Sequence, residues 1–182
     1  MAYTFDEPRV GVLQIANTDA GIIPPGNGTT AIPTPPAVLG TIVRAFDPTY
    51  GEGEFICLLG VAGTAVGSLV IYDSTTYQTT LCPSTGNLAR PVAIAMSANL
   101  AATFGWYQIS GSAVVLKQVN HQIASNLAVG VSSSAGKIVA SSTAGAGKEI
   151  EGARRTASGT AASASTTCVI IIDRPSMQGR IT

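Results

Sequence analysis

Any chemistry in this chain would have to run through one imidazole, ten carboxylates and three thiols. The imidazole, His121, sits in Val119-Asn120-His121-Gln122. A lone histidine rules out a multi-histidine metal site and an HExxH zinc helix. It could enter a Ser-His-Asp relay, but no GxSxG elbow offers it a nucleophile. Beside Asn and Gln it reads as a polar loop residue. A glycosidase needs only two facing carboxylates, and Glu52 with Glu54, or Glu149 with Glu151, would share a strand face. Both pairs read as solvated edge positions.

Cys57, Cys82 and Cys168 have no CxxC spacing, which argues against a zinc site and a disulfide framework. Cys57 and Cys168 lie inside apolar runs, Phe55–Leu59 and Cys168–Ile172, and read as buried, inert thiols. Gly145-Ala146-Gly147-Lys148 imitates a P-loop. The full motif would need Gly at 142 and Ser or Thr at 149, where Ser142 and Glu149 stand, so a turn entering a strand is expected. Trp106 and Tyr107 could stack on a sugar, but the single tryptophan reads better as a core anchor. These residues predict no catalytic, cofactor-binding or metal-binding site, and a protein that is not an enzyme.

The surrounding composition fits a structural role. Ala, Gly, Ser and Thr make up 82 of 182 residues, and only 11% are charged, ten basic against ten acidic. A chain of this length supports one domain with a proper core. Its sparse charge suits packing against copies of itself or a partner, or simply a β domain built of small side chains. Nucleic acid would need a basic stripe. The basic doublet Arg154-Arg155 follows Glu149 and Glu151, so nucleic acid is not an expected ligand. Met1–Val10 carries Asp6, Glu7 and Arg9 and no apolar core, so no secretory signal is expected. The uncharged stretch Pro91–Leu116 is broken by Ser97, Asn99, Gly105, Gln108, Ser110, Gly111 and Ser112, so a soluble protein without a membrane span is expected.

Two regions are expected, an extended N-terminal arm over 1–38 and a β-rich body over 39–182. Five of the ten prolines fall between Ile22 and Pro36. Proline fixes φ and removes an amide donor, which leaves an extended segment. Ile22, Ile23 and Ile32, beside Pro24, Pro25 and Pro33, give that segment apolar surface to bury. Docking on a neighbour is the preferred reading, and folding back on its own body is the alternative.

From Leu39 onward, short β-prone runs alternate with turn residues. Strands are expected over Thr41–Phe46, Glu54–Val61, Ser68–Tyr72, Leu127–Val131, Lys137–Ala140, Glu149–Arg154 and Thr167–Asp173. Pro91–Ser97 alternates large and small residues and reads as a strand, although Val92, Met96, Leu100 and Phe104 also fit a helical stripe. A helical turn is expected over Ala98–Thr103. Gly105–Leu116, with Gly111-Ser112 inside it, reads as a hairpin with a type II′ turn. The fold class is all-β, a compact barrel or sandwich with little helix.

The segments Gly40–Ala45, Leu59–Thr64, Pro91–Ala95 and Gly105–Val114, with the ending Ile172–Thr182, resemble the body of capsid decoration, or cement, proteins of tailed bacteriophages. The resemblance spans Leu39–Thr182 and carries no catalytic signature. It implies a virion protein, made in the host cytoplasm, on the outer surface of the phage head. Its implied partners are the major capsid protein and itself as a homotrimer, with an N-terminal arm gripping the shell. The pairs Pro24-Pro25 and Pro35-Pro36 depart from the Gly-rich arms of that group. The other readings are a phage head-fibre, tail or glycan-binding receptor module, and a carbohydrate-active enzyme.

Overall fold

The computed structural model describes residues 4–5, 37–156 and 160–180. In chain order the elements are β1 (Thr4–Phe5), β2 (Ile42–Asp47), β3 (Gly51–Leu59), β4 (Leu69–Tyr72), β5 (Thr79–Leu81) and β6 (Val92–Ala95). Then come β7 (Phe104–Leu116), β8 (Ala128–Val131), β9 (Ile138–Ala140), the short helix α1 (Ser141–Ala144), β10 (Glu149–Arg154) and β11 (Thr167–Met177). The strands form one antiparallel sheet that curls into a half-barrel, so the all-β expectation holds.

The main path runs β1-β2-β3-β7-β11-β10-β8-β9, while β4 joins β5 to β6, and β6 joins β7. β7 is where the sheet forks. One edge pairs with β3 from Phe104 to Gly111. The other edge takes β6 at Tyr107 and Gln108, then β11 from Ser110 to Leu116.

Strand alternation distributes the core. On β3, Phe55 and Cys57 pack with Ala45, Met96 and Trp106, while Ile56 and Leu58 face the opposite way, toward Val70, Ala93, Ala95, Tyr107 and Ile109. The large residues of β6, Val92 and Ile94, enter a third cluster with Val115, Ile138, Ile150, Ile170 and Ile172. That is the period-two pattern of a strand covered on both faces, and it excludes the helical alternative for this segment. Each large side chain buried this way contributes about 1.5–3 kcal/mol.

Several local expectations are corrected. Gly111-Ser112 makes no hairpin turn; β7 runs unbroken through it for 13 residues. Pairing shifts at Glu54/Phe55, so Ile109 is the extra residue of a bulge, and Gly111 follows at φ +97°. A Cβ at Gly111 would stand 2.3 Å from the Glu52 carbonyl oxygen. The glycine is therefore needed for a bend and a close strand approach, not for chain reversal. Buried Gln108 stabilises this bend, its Nε2 donating to the carbonyls of Ser110 at 3.1 Å and Ser112 at 2.9 Å.

Ala98–Thr103 is a loop with a turn, not a helical turn. It closes through the Thr103 amide bonding the Leu100 carbonyl at 3.3 Å. The Thr/Ser-rich stretch after Tyr72 contains β5. β3 starts at Gly51, three residues before the expected Glu54. β11 continues to Met177, passing Pro175 next to Arg174 at φ +41°. The Gly145–Lys148 segment is the expected turn into a strand, leading from α1 to β10.

Candidate functional site

The residues weighed for chemistry are dispersed. His121 lies in a loop, half-buried, and its carbonyl accepts from Lys117 Nζ at 2.6 Å. Glu149 takes a hydrogen bond from Ser141 Oγ at 2.5 Å. Among the described residues, no group of three His, Cys, Asp or Glu side chains converges as a metal site. All three thiols are buried and unpaired with one another. Burial pushes Cys57 up to about 11 and Cys82 up to about 12. Trp106 and Tyr107 are interior, at 1% and 0% exposure, so neither ring is offered to a ligand. The core-anchor reading of Trp106 holds.

What the fold does expose is the edge of the sheet at β2. Its burial alternates: Ile42, Arg44 and Phe46 face outward, while Ala45 and Asp47 are buried. The turn into β3 is fixed by Asp47 Oδ1, which accepts from the amides of Thr49 at 2.7 Å and Tyr50 at 3.0 Å. This side-chain turn sets the register that places Arg44 opposite Glu54 and Phe46 opposite Glu52. Glu54 then bonds two arginines, Arg44 at 3.3 Å and Arg174 of β11 at 3.0 Å. The result is an outer stripe of two apolar side chains interleaved with an exposed ion-pair cluster. A shallow cavity of about 160 Å³ lies within it, lined by Arg44, Glu52, Gly53, Glu54 and Ser110.

The outer edge of β2 receives a strand from far back in the sequence. β1 pairs antiparallel with it, Thr4 opposite Phe46 and Phe5 opposite Ala45. Among the described residues this is the ladder on that edge, and it covers two of the six β2 residues. Val38, 79% exposed, lies close by in sequence, just before β2. The arm residues singled out from sequence, Ile22, Ile23, Pro24, Pro25, Ile32 and Pro33, lie outside the described residues.

Three features escaped the sequence reading. The Arg44–Glu54 pairing was within reach, because a short Asp-Pro turn between two strands fixes which residues oppose each other. Buried Lys117 carried a signal as well: it follows Ala113 and Val115 in period two, on a face that is all core. Buried Arg155 follows β10 in the connection to β11 and had no periodic pattern to betray it. Neither the family models nor the curated proteins compared with this chain give a match.

Proposed function

We propose that this chain is a structural, non-enzymatic protein that decorates and stabilises the head shell of a tailed bacteriophage by binding its major capsid protein. The observation that carries the reading is the β2 edge, an apolar-faced edge strand that accepts an extended N-terminal segment through main-chain pairing. Edge strands are the natural place for β-augmentation, where backbone bonds give affinity and alternate side chains give fit.

The chain has the other parts such a role needs. The body is a β scaffold with its ionisable groups dispersed, and the sequence places a proline-stiffened, isoleucine-bearing segment between β1 and β2. A protein bound only to the assembled shell stabilises it by mass action, and many copies multiply the effect. Little charge is required, since shape fit carries symmetric contacts. The resemblance of Leu39–Thr182 to cement proteins points the same way and adds the expectation of trimers at three-fold positions. A glycan-binding role is less well supported, because Trp106 and Tyr107 are enclosed.

The test is binding of full-length protein to expanded, empty phage heads, compared with the triple variant Ile22→Asp, Ile23→Asp, Ile32→Asp. Loss of about a thousand-fold in affinity is expected, because three isoleucines buried at roughly 1.5–3 kcal/mol each exceed the ~1.4 kcal/mol that marks each decade. The variant should melt as the parent does. Failure of the parent to bind heads, or single copies at sites without three-fold symmetry in a particle map, would count against the proposal.

A further inference from the structure

We propose that the cavity beside the β10–β11 connection is a binding site for a small organic carboxylate, with Arg155 as its anchor. This inference does not depend on the capsid reading.

Arg155 is 7% exposed, a rare state for arginine. Its Nε is enclosed without a hydrogen-bond partner, and Nη1 donates to the Val169 carbonyl at the long distance of 3.4 Å. Its charge also acts on the Cys168 thiol, opposing the rise that burial causes there. Among the described residues no carboxylate lies within ion-pairing distance of Arg155; the ion pairs of Glu54 are made with Arg44 and Arg174. A second buried cation, Lys117, acts on the same thiol. Lys117 differs in being fully engaged, with carbonyls of Gln118, His121 and Ser163 at 3.0, 2.6 and 3.3 Å. Arg155 has no such cage. A buried guanidinium with no carboxylate beside it among the described residues is strongly unfavourable unless an acceptor reaches its outer nitrogens.

The acceptor has a place to sit. Arg155 lines a cavity of about 390 Å³, which it shares with Tyr50, Thr160, Ala162, Ser165 and Thr167. That volume lies at the lower end of the ~300–1,000 Å³ typical of small-molecule sites. One guanidinium matches the single charge of a monocarboxylate, and its planar fork suits two carboxylate oxygens better than a point cation would. The remaining wall mixes hydroxyls with methyl groups, which fits a short carbon tail and leaves the second charge of a phosphate unmatched.

The experiment is an amide-resolved NMR titration of the full chain with sodium butyrate, n-butanol and sodium phosphate at one ionic strength. Butyrate should saturate in the millimolar range and shift the amides of Ser165–Val169, while butanol and phosphate should not. Arg155→Gln should weaken butyrate at least tenfold, and Arg155→Lys should restore part of the loss. Arg155→Met should raise the melting temperature of the free protein, since it removes a buried, unpaired charge, whereas an arginine kept for packing would lower it on removal. Should the Arg155 variants fail to fold, Ala162→Phe at an exposed position of the rim decides the matter by blocking entry. Absence of saturation, equal response to butanol, preferred binding of phosphate, a lowered melt for a folded Arg155→Met, or unchanged butyrate binding in Ala162→Phe would each overturn the proposal.

Discussion

The side-chain amide of Asn99 donates to the hydroxyl of Tyr107 at 2.6 Å, with both residues buried. The bond ties the loop after β6 to the first half of β7, and Ser97 Oγ extends it by donating to Asn99 Oδ1 at 3.1 Å. Backbone crowds the same spot: a Cβ on Gly60 or on Gly105 would come within 2.7 Å of Asn99. The amide is thus held between two glycines. Tyr107→Phe strands a buried donor, so a loss of about 1–3 kcal/mol is expected. Urea melts should show it, and a cycle with Asn99→Ala should give a coupling of about 0.5–3 kcal/mol. Additive single variants would mean that the bond contributes nothing of its own.

Gly111→Ala should be among the costliest single changes in the body. It combines a positive φ with a Cβ placed 2.3 Å from the Glu52 carbonyl, where no flexible side chain can yield. Left-handed strain alone costs about 1–3 kcal/mol for a non-glycine residue, and separating β3 from β7 adds to it. Gly145→Ala is the control, since it also has positive φ but nothing within 4 Å. Thermal melts should rank the two clearly, with the loss at position 111 at least twice that at 145.

Stability should decline in alkali, and the thiols set the window. Burial raises Cys57 to about 11 and Cys82 to about 12 from an ordinary 9.0. Their folded forms hold protons more tightly than the unfolded chain does. The stability they contribute is therefore complete below pH 9 and is lost as pH rises toward 11–12. Burial raises Tyr107 as well, which works in the same direction above its ordinary 10.0. Lys117, lowered by desolvation, works against it near its ordinary 10.5. Melting temperatures between pH 8 and pH 11 should fall. In the folded protein at pH 8, iodoacetamide should leave Cys57 and Cys82 unlabelled, and in urea it should modify both. Rapid labelling of the native protein would show that these thiols are not enclosed as described.

Lys117→Met keeps most of the apolar stem, one heavy atom shorter, and removes the donors. Three carbonyls then lose the ammonium that joins the end of β7 to the loops at His121 and Ser163. About 2–4 kcal/mol of destabilisation is expected from several orphaned buried acceptors. By contrast, Glu54→Gln breaks two bonds to arginines whose side chains are 71% and 63% exposed, and should cost under about 1 kcal/mol. A larger loss at Glu54 than at Lys117 would reverse this reading of where charge matters.

Much of the body was legible from alternation alone. Val92-Ala93-Ile94-Ala95 announces a strand with one large and one small face, and the fold uses both, the large face toward Ile170 and the small face toward Tyr107. Ser110-Gly111-Ser112 misled because glycine between β-formers signals φ freedom without saying what it serves. A reversal and a bulge ask for the same residue, and only the presence of β3 alongside selects the bulge. β5 was hidden because Thr79, Thr80 and Leu81 lack enough apolar weight to stand out, and their pairing with β4 makes them a strand. For Lys117 the alternation signals burial but not its partners, and Arg155 carries no such signal. One of the carbonyls that cage Lys117, that of Ser163, lies 46 residues away, and Tyr50 and Val114 reach the cavity beside Arg155 from distant parts of the sequence. The edge at β2 could be placed from sequence as a strand, but its role as an acceptor for Thr4 and Phe5 is a tertiary fact.

The fork at β7 also governs how the molecule can come into being. Its first half pairs with a strand roughly fifty residues earlier, and its second half with one that follows roughly fifty to sixty residues later. Closing loops of that size precedes any reward from the contacts, so folding should be slow, in the millisecond-to-second range of β topologies. During synthesis at about 5–20 residues per second, the edge of Ser110–Leu116 must wait several seconds for Thr167–Asp173 to emerge. Over that interval Ala113 and Val115 lack the β11 partners that later cover them, and the nascent chain is at its most vulnerable to pairing with a stranger.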